Sequence, residues 1–251
     1  MKIKHRQILS AILYPTVIVV AFIALWNVLA YSAGSEFIFP PLLKTIKAFC
    51  RLLISADFYT SLMGTLLRTL IAFIISIVLA IAFSLLGALY APVRKLLAPA
   101  VSFFRALPTV AVTLIVAIWL GSRFAPIMVS LMVIMPTAYS AFSEGIDAID
   151  HDVLDMAKID GANNLTLAFK FLLPLSLRFS KKSISATLSL NVKLMVASET
   201  LSGTAQSIGH AMMISSLYFE TARLMALTTI TVLISILLEK LLFIILDRIY
   251  R

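Results

Sequence analysis

The chain has little of what most catalytic and metal chemistry needs. Cys50 is its one cysteine in 251 residues, which excludes an internal disulfide and any cysteine metal cluster. His5, His151 and His210 are far apart. None has a partner at helical ligand spacing, which argues against zinc. No G-x-x-x-x-G-K-[ST] stretch occurs, so ATP is not bound here through a Walker A loop. Only 13% of residues are charged, and no carboxylate is placed deep in an apolar run. Glu199 and Glu239 stand near segment ends, and Asp247 lies past the last one. Ion-driven carriers usually hold such groups near mid-membrane, so this scarcity counts against that class. There is no long polar segment to form a soluble domain, no internal repeat and no low-complexity stretch.

What remains is apolar. The chain is 61% hydrophobic with a mean hydropathy of +1.03. Soluble domains average about 45–50% apolar, so this composition describes a polytopic membrane protein. The net charge of +9 raises the question of nucleic acid. The bases, however, sit beside the apolar runs, so topology and anionic lipid explain them better.

In order, Met1–Gln7 is basic and Ile8–Tyr31 is long enough to span a bilayer. It is too long for the apolar core of a cleaved signal, and reads as an uncleaved first helix. Past Pro40-Pro41, Leu42, Ile46, Phe49 and Leu53 recur at helical spacing, beside a stripe of Lys44, Lys47 and Arg51. That pattern suits a helix lying in the membrane interface. Further spans are expected at about Leu62–Leu86, Leu97–Leu120, Pro126–Phe142, Leu177–Ser198 and Ala222–Leu246, with Leu201–Phe219 a looser, re-entrant candidate. Pro99, Pro108, Pro126 and Pro136 would bend the third and fourth spans. The expected fold is therefore all-α, with about six transmembrane helices in one domain, 1–251.

Six spans place both termini on one side. With the N-terminus inside, the cytoplasmic bases are Lys2, Lys4, Arg6, Arg94, Lys95, Lys158, Lys170, Arg178, Lys181, Lys182, Arg248 and Arg251. They outnumber the external Lys44, Lys47, Arg51, Arg123 and Arg223. Both termini are thus expected in the cytoplasm.

The polar stretch at about 152–174 would then be a cytoplasmic hairpin. Asp152 can cap its first helix, with Asp155 as a capping-box partner. Gly161 can supply the left-handed residue that stops it. Asn163 or Asn164 can cap a second helix, and Pro174 would limit that helix. Val153, Met156 and Ala157 share one face at i, i+3, i+4 spacing. An ordinary solvated loop is the plain alternative.

Asp155-Met156-Ala157, then Gly161, then Leu173-Pro174 resembles the EAA loop of binding-protein-dependent ABC importer permeases. Asp155 stands where Glu is usual, and Met156 replaces the first Ala. Phe39-Pro40-Pro41, Gly64-Thr65-Leu66-Leu67-Arg68, Phe104-Arg105-Ala106-Leu107-Pro108 and Ala197-Ser198-Glu199 resemble motifs of one branch. That branch imports nitrate, taurine, aliphatic sulfonates, bicarbonate and thiamine precursors. The resemblance runs from about Phe39 to the C-terminus. Arg178 departs from it where a second proline is usual, as do Ser183 and Ser185 where a Gly-x-Arg stands.

The resemblance implies a bacterial inner-membrane permease of the type I-like fold, not an enzyme, with no cofactor in this chain. ATP would be bound by two separate cytoplasmic subunits. A second permease copy, identical or not, and an extracytoplasmic solute-binding protein would complete the complex. Lipid would surround it, and no nucleic acid is involved. Asp155, Met156, Ala157, Gly161 and Pro174 would form the ATPase-coupling hairpin.

Arg68, Arg105, Lys193 and Glu199 are candidates for the translocation pathway. An unpaired base at the bilayer centre costs about 2.5–3.5 kcal/mol on insertion scales. Arg68 could instead snorkel to the surface, and Arg105 could pack on backbone carbonyls. A pathway lined by bases suits a small anionic or zwitterionic solute, or a vitamin precursor. The competing readings are an ion-coupled secondary carrier working alone and a membrane scaffold.

Overall fold

The computed structural model describes the backbone of residues 2–250, and their side chains apart from 2–13, 15, 19, 151 and 158. The bases Lys2, Lys4, Arg6, Lys158 and Arg251 and the histidines His5 and His151, named above, therefore lie outside the described side chains. Among the described residues every regular element is helical. The structure comprises α1 (Lys2–Ser32), α2 (Leu42–Ile54), α3 (Ala56–Leu89), α4 (Ala91–Ala106), α5 (Thr109–Leu120), α6 (Ala125–Asp147), α7 (His151–Ile159), α8 (Asn164–Thr166), a π-helical segment (Leu167–Leu172), α9 (Leu173–Ser202), α10 (Ile208–Leu217) and α11 (Thr221–Ile249).

Length and apolar composition together qualify three of these to cross a membrane: α3, α6 and α11. The pair α4 and α5 passes jointly as a fourth, bent by 93° at the break between them. The bend expected in the third span is thus a full break, two helices meeting at Leu107-Pro108. Pro108 has no N–H to continue the first helix. The other prolines do not break their helices. Pro99 lies inside α4, Pro136 lies inside α6, and Pro126 occupies the first turn of α6, where its missing donor costs nothing.

Against the six spans expected, α1 and α9 are the two that do not meet this test. Helix α1 has 31 residues, of which the described stretch Thr16–Ser32 is apolar. Helix α9 has 30 residues, ample to span, but is too polar. Its polar groups point inward: Ser176, Ser180, Ser185, Thr187, Ser189, Asn191, Ser198 and Glu199 are all buried. It is the central helix, packed by α3, α5, α6, α10 and α11. A helix surrounded by protein need not be apolar.

The packing relies on small residues, as expected where hydrocarbon gives helices no hydrophobic reason to associate. Ala72, Ser76 and Ala80 repeat every four residues on α3 and are fully buried. A Cβ on Gly145 of α6 would stand 2.7 Å from the Ser176 carbonyl oxygen of α9. Between such contacts Phe73, Ile134, Phe142, Ile184 and Leu188 close the core of α3, α6 and α9. Polar clamps cross it. Asn191 accepts from the Ser130 hydroxyl and donates to the Thr69 carbonyl at 2.9 Å, joining α9, α6 and α3.

Candidate functional site

The first helix of the hairpin is capped two residues earlier than its sequence suggests. Asp150, not Asp152, supplies the cap, its Oδ1 accepting from the Asp152 N–H at 3.0 Å. Helix α7 ends as expected at Gly161, whose φ is +83°. The Ala162 N–H donates to the Ala157 carbonyl at 3.0 Å, across the six-residue closure of a Schellman stop. Asn163 is the next cap, its side chain accepting from the Thr166 N–H at 2.8 Å.

The second arm is not ended by Pro174. Helix α8, the π segment and α9 run on as one continuous helical rod, and Pro174 sits in the first turn of α9. Its missing N–H falls just after the π segment, where the regular bonding ladder already changes register. The extra residue of a π turn lets the hairpin arm and α9 join without a kinked stop.

The expected common face of Val153, Met156 and Ala157 is divided. Ala157 is only 4% exposed. It packs with Leu85, Ile146, Ile149, Leu167, Ala168 and Leu172, so its methyl anchors the hairpin to the chain's own helices. Met156 at 65% and Ile159 at 84% exposure face away, with Val153 beside them. Leu165 and Phe169, one turn apart on the second arm, are also exposed. Asp155 and Lys170 are exposed on the flanks. Large apolar side chains are thus gathered in the open on the hairpin. Each contributes about 1.5–3 kcal/mol when fully covered.

Of the four pathway candidates, the structure brings two together and leaves two apart. Glu199 is fully buried near the end of α9, and Arg68 of α3 donates to its Oε1 at 2.7 Å with a side chain 15% exposed. Arg68 therefore does not snorkel freely. Thr65, one turn before it, donates to Glu199 Oε2 at 2.8 Å and accepts from the Ile208 N–H at 2.9 Å. Arg68 also donates to the Gln206 carbonyl at 3.0 Å. The cluster thereby fastens the loop and helix α10 to α3 and α9.

Helix α10 sits so close that a Cβ on Gly209 would stand 2.4 Å from the Glu199 Cβ. Arg105, in the last turn of α4 just before the bend, reaches Ser140 of α6 at 3.2 Å. Lys193 is exposed and makes no ion pair among the described residues. It lies in an open stripe of α9 with Ala186, Leu190, Ala197 and Leu201.

Two ion pairs hold the opposite, hairpin end. Arg94 of α4 grips Asp147 of α6 with both guanidinium nitrogens, one at 2.9 Å. Lys181 of α9 meets Asp247 of α11. Sequence reasoning missed these pairings, and also Thr65, Ile159, Leu165 and Phe169. The i, i+3 spacing of Thr65 and Arg68 and the i, i+4 spacing of Leu165 and Phe169 were available as signals.

The described residues thus form a helical bundle around a polar central helix, with a bent helix pair and an exposed apolar hairpin at one end. The chain belongs to the family described as the binding-protein-dependent transport system inner membrane component, whose family model matches residues 80–251. A probable ABC transporter permease protein of Brucella melitensis biotype 1 is 25% identical over 205 residues, covering 80% of this chain and 82% of the relative. A counterpart in Brucella abortus (strain 2308) is 25% identical over 205 residues, covering 80% and 81%.

Among solved structures, a chain of a bacterial ABC transporter involved in importing the acidic polysaccharide alginate superposes with a TM-score of 0.62. Its identity is 17%, over 100% of this chain and 98% of that one. A chain of the inward-facing methionine ABC transporter MetNI gives 0.53 at 18% identity, over 77% and 92%. This protein is thus the membrane permease component of an ABC importer, and its fold is that of the importer permeases.

Proposed function

We propose that the hairpin of α7 and the following arm docks on a cytoplasmic ATP-binding subunit and transmits its opening and closing to α9. Two such subunits, a second permease copy and an extracytoplasmic solute-binding protein complete the working complex, and both termini of this chain lie in the cytoplasm. The observation that carries this reading is the division of α7. Ala157 is locked into the permease while Met156 and Ile159 are bare. An inward anchor with an outward apolar face suits a lever that stays attached to two bodies at once. The continuous rod from α8 through α9 gives that lever a stiff path into the membrane.

The open stripe of α9 holding Lys193 then lines the pathway, between this permease and its second copy. A lone ammonium about 14 Å from the end of a spanning helix is costly against hydrocarbon, but not against a water-filled route. Its charge favours a small anionic or zwitterionic solute, or a vitamin precursor. The Phe39-Pro40-Pro41 and Gly64–Arg68 motifs favour the nitrate, taurine, sulfonate, bicarbonate and thiamine-precursor branch.

The test is co-purification of the complex with its ATP-binding subunit, followed by uptake in ATP-loaded vesicles. Met156→Asp and Ile159→Asp should release the ATPase while the permease still inserts. Lys193→Met should keep the ATPase but lose most uptake. Full ATPase retention in both hairpin variants would refute the coupling role. Gradient-driven uptake by the chain alone would replace the importer reading with a secondary carrier.

A further inference from the structure

A cavity lies at the other end of the bundle from the hairpin, at a site the transport reading does not use. It has a volume of about 720 Å³ and opens between α2, the segment before it, and the start of α11. Helix α3 begins beside it and runs the height of the molecule to Leu85, which packs in the hairpin core.

Its charge is strongly one-sided. Lys44, Lys47, Arg51 and Arg223 line it, against Glu36 and Glu220. Lys44 pairs with Glu36, and Arg223 pairs with Glu220 at 3.1 Å. Lys47 and Arg51, one turn apart, make no ion pair among the described residues and are both exposed. Two uncompensated cations therefore converge on a concave space of ligand size.

The surroundings place this space at a membrane border. On α2 the exposed Leu43, Ile46, Leu53 and Ile54 form an apolar sector adjoining the basic stripe, while Thr45 and Leu52 face the core. A helix that is apolar toward both protein and outside, with bases between, lies in the interface. Exposed aromatic rings, Phe37 before α2 and Tyr218 and Phe219 before α11, flank the opening at the same level. The far wall is fixed. Phe219 holds φ +56°, unusual for a bulky residue, and the Glu220 N–H donates to the Ser215 carbonyl at 2.8 Å.

We infer that this cavity binds the phosphate headgroup of an anionic phospholipid from the leaflet opposite the hairpin. Lys47 and Arg51 hold the phosphate, and the acyl chains run along the exposed apolar sector of α2. A free phosphate ion would satisfy the bases but leave that apolar rim bare. An acidic protein surface would also have no use for it.

The complex would be purified in equal phosphatidylglycerol and phosphatidylcholine, washed with detergent, and its retained lipid measured by mass spectrometry. Wild type should retain phosphatidylglycerol several-fold over phosphatidylcholine. Lys47→Gln combined with Arg51→Gln should fall to near parity at an unchanged melting temperature, and Lys47→Gln alone should fall part way. Lys95→Gln, an exposed base on the hairpin side, should retain the preference, as should the charge-preserving pair Lys47→Arg and Arg51→Lys. Parity in wild type, or an undiminished preference in the double Gln variant, would overturn the assignment. Displacement by inorganic phosphate at matched ionic strength would reassign the site to a free anion. Unchanged lipid retention with lost solute-binding-protein attachment would reassign it to an acidic protein surface.

Discussion

Arg68 and Glu199 are 131 positions apart in the chain and meet at 2.7 Å, with the carboxylate wholly inside the protein. Neither charge is then a free group waiting in the pathway. Each is what makes burial of the other tolerable. Thr65 takes the second carboxylate oxygen, so the pair is closed on both sides.

Removing one member should therefore cost more than removing both. Arg68→Met leaves Glu199 buried and unpaired, a loss of about 3–5 kcal/mol. Thr65→Val removes the charge-assisted hydrogen bond to Glu199 and strands the Ile208 N–H, and should cost at least about 1.5–3 kcal/mol. The double variant Arg68→Met with Glu199→Met should recover most of the stability. Thermal unfolding in detergent measures all three. A double variant no more stable than Arg68→Met would show that the two residues do not act as a pair.

The same cluster sets the position of α10. Gly209→Ala would place a methyl 2.4 Å from the Glu199 Cβ and 2.6 Å from the Val196 carbonyl oxygen, neither able to retreat along a helix axis. Overpacking of this kind costs about 1–3 kcal/mol. The expected result is a lowered melting temperature and faster proteolysis in the 203–220 loop region, with α3 and α6 unaffected.

In the hairpin, neighbouring substitutions should behave differently. Ala157→Asp puts a charge into the cluster of Leu85, Ile146 and Leu172 and should loosen the hairpin itself. Met156→Asp, on the bare side, should leave the unfolding free energy within about 0.5 kcal/mol of wild type. Gly161→Val meets no neighbour, since nothing lies within 4 Å of a Cβ there. Its cost, about 1–3 kcal/mol, comes wholly from forcing a β-branched residue to φ +83°. Limited proteolysis across 150–165 separates the three, with Met156→Asp expected to match wild type.

The charge asymmetry predicts a topology that reporter fusions test. Fusions after Gly34 and Arg123 should report outside, and one after Ala162 inside. An external reporter after Ala162 would invert the molecule and remove the hairpin from the cytoplasm.

The sequence by itself determined the class of molecule and the places where the chain changes direction. Apolar runs of spanning length, the Gly161 stop, the Asn163 cap and the amphipathic stripe of α2 are local properties. They are encoded by neighbouring residues, and composition and periodicity can read them. Tertiary structure decided everything that depends on which face of a helix meets which other helix. Periodicity grouped Ala157 with Met156, but only the packing of α7 on Leu85 and Leu172 sent one inward and left the other bare. The polar residues of α9 weaken its membrane signal because they are spent on α3 and α6, contacts that no local window contains. Arg68 and Glu199 looked like two separate candidates for the same reason: their meeting is fixed by the packing of α3 against α9, across more than half the chain.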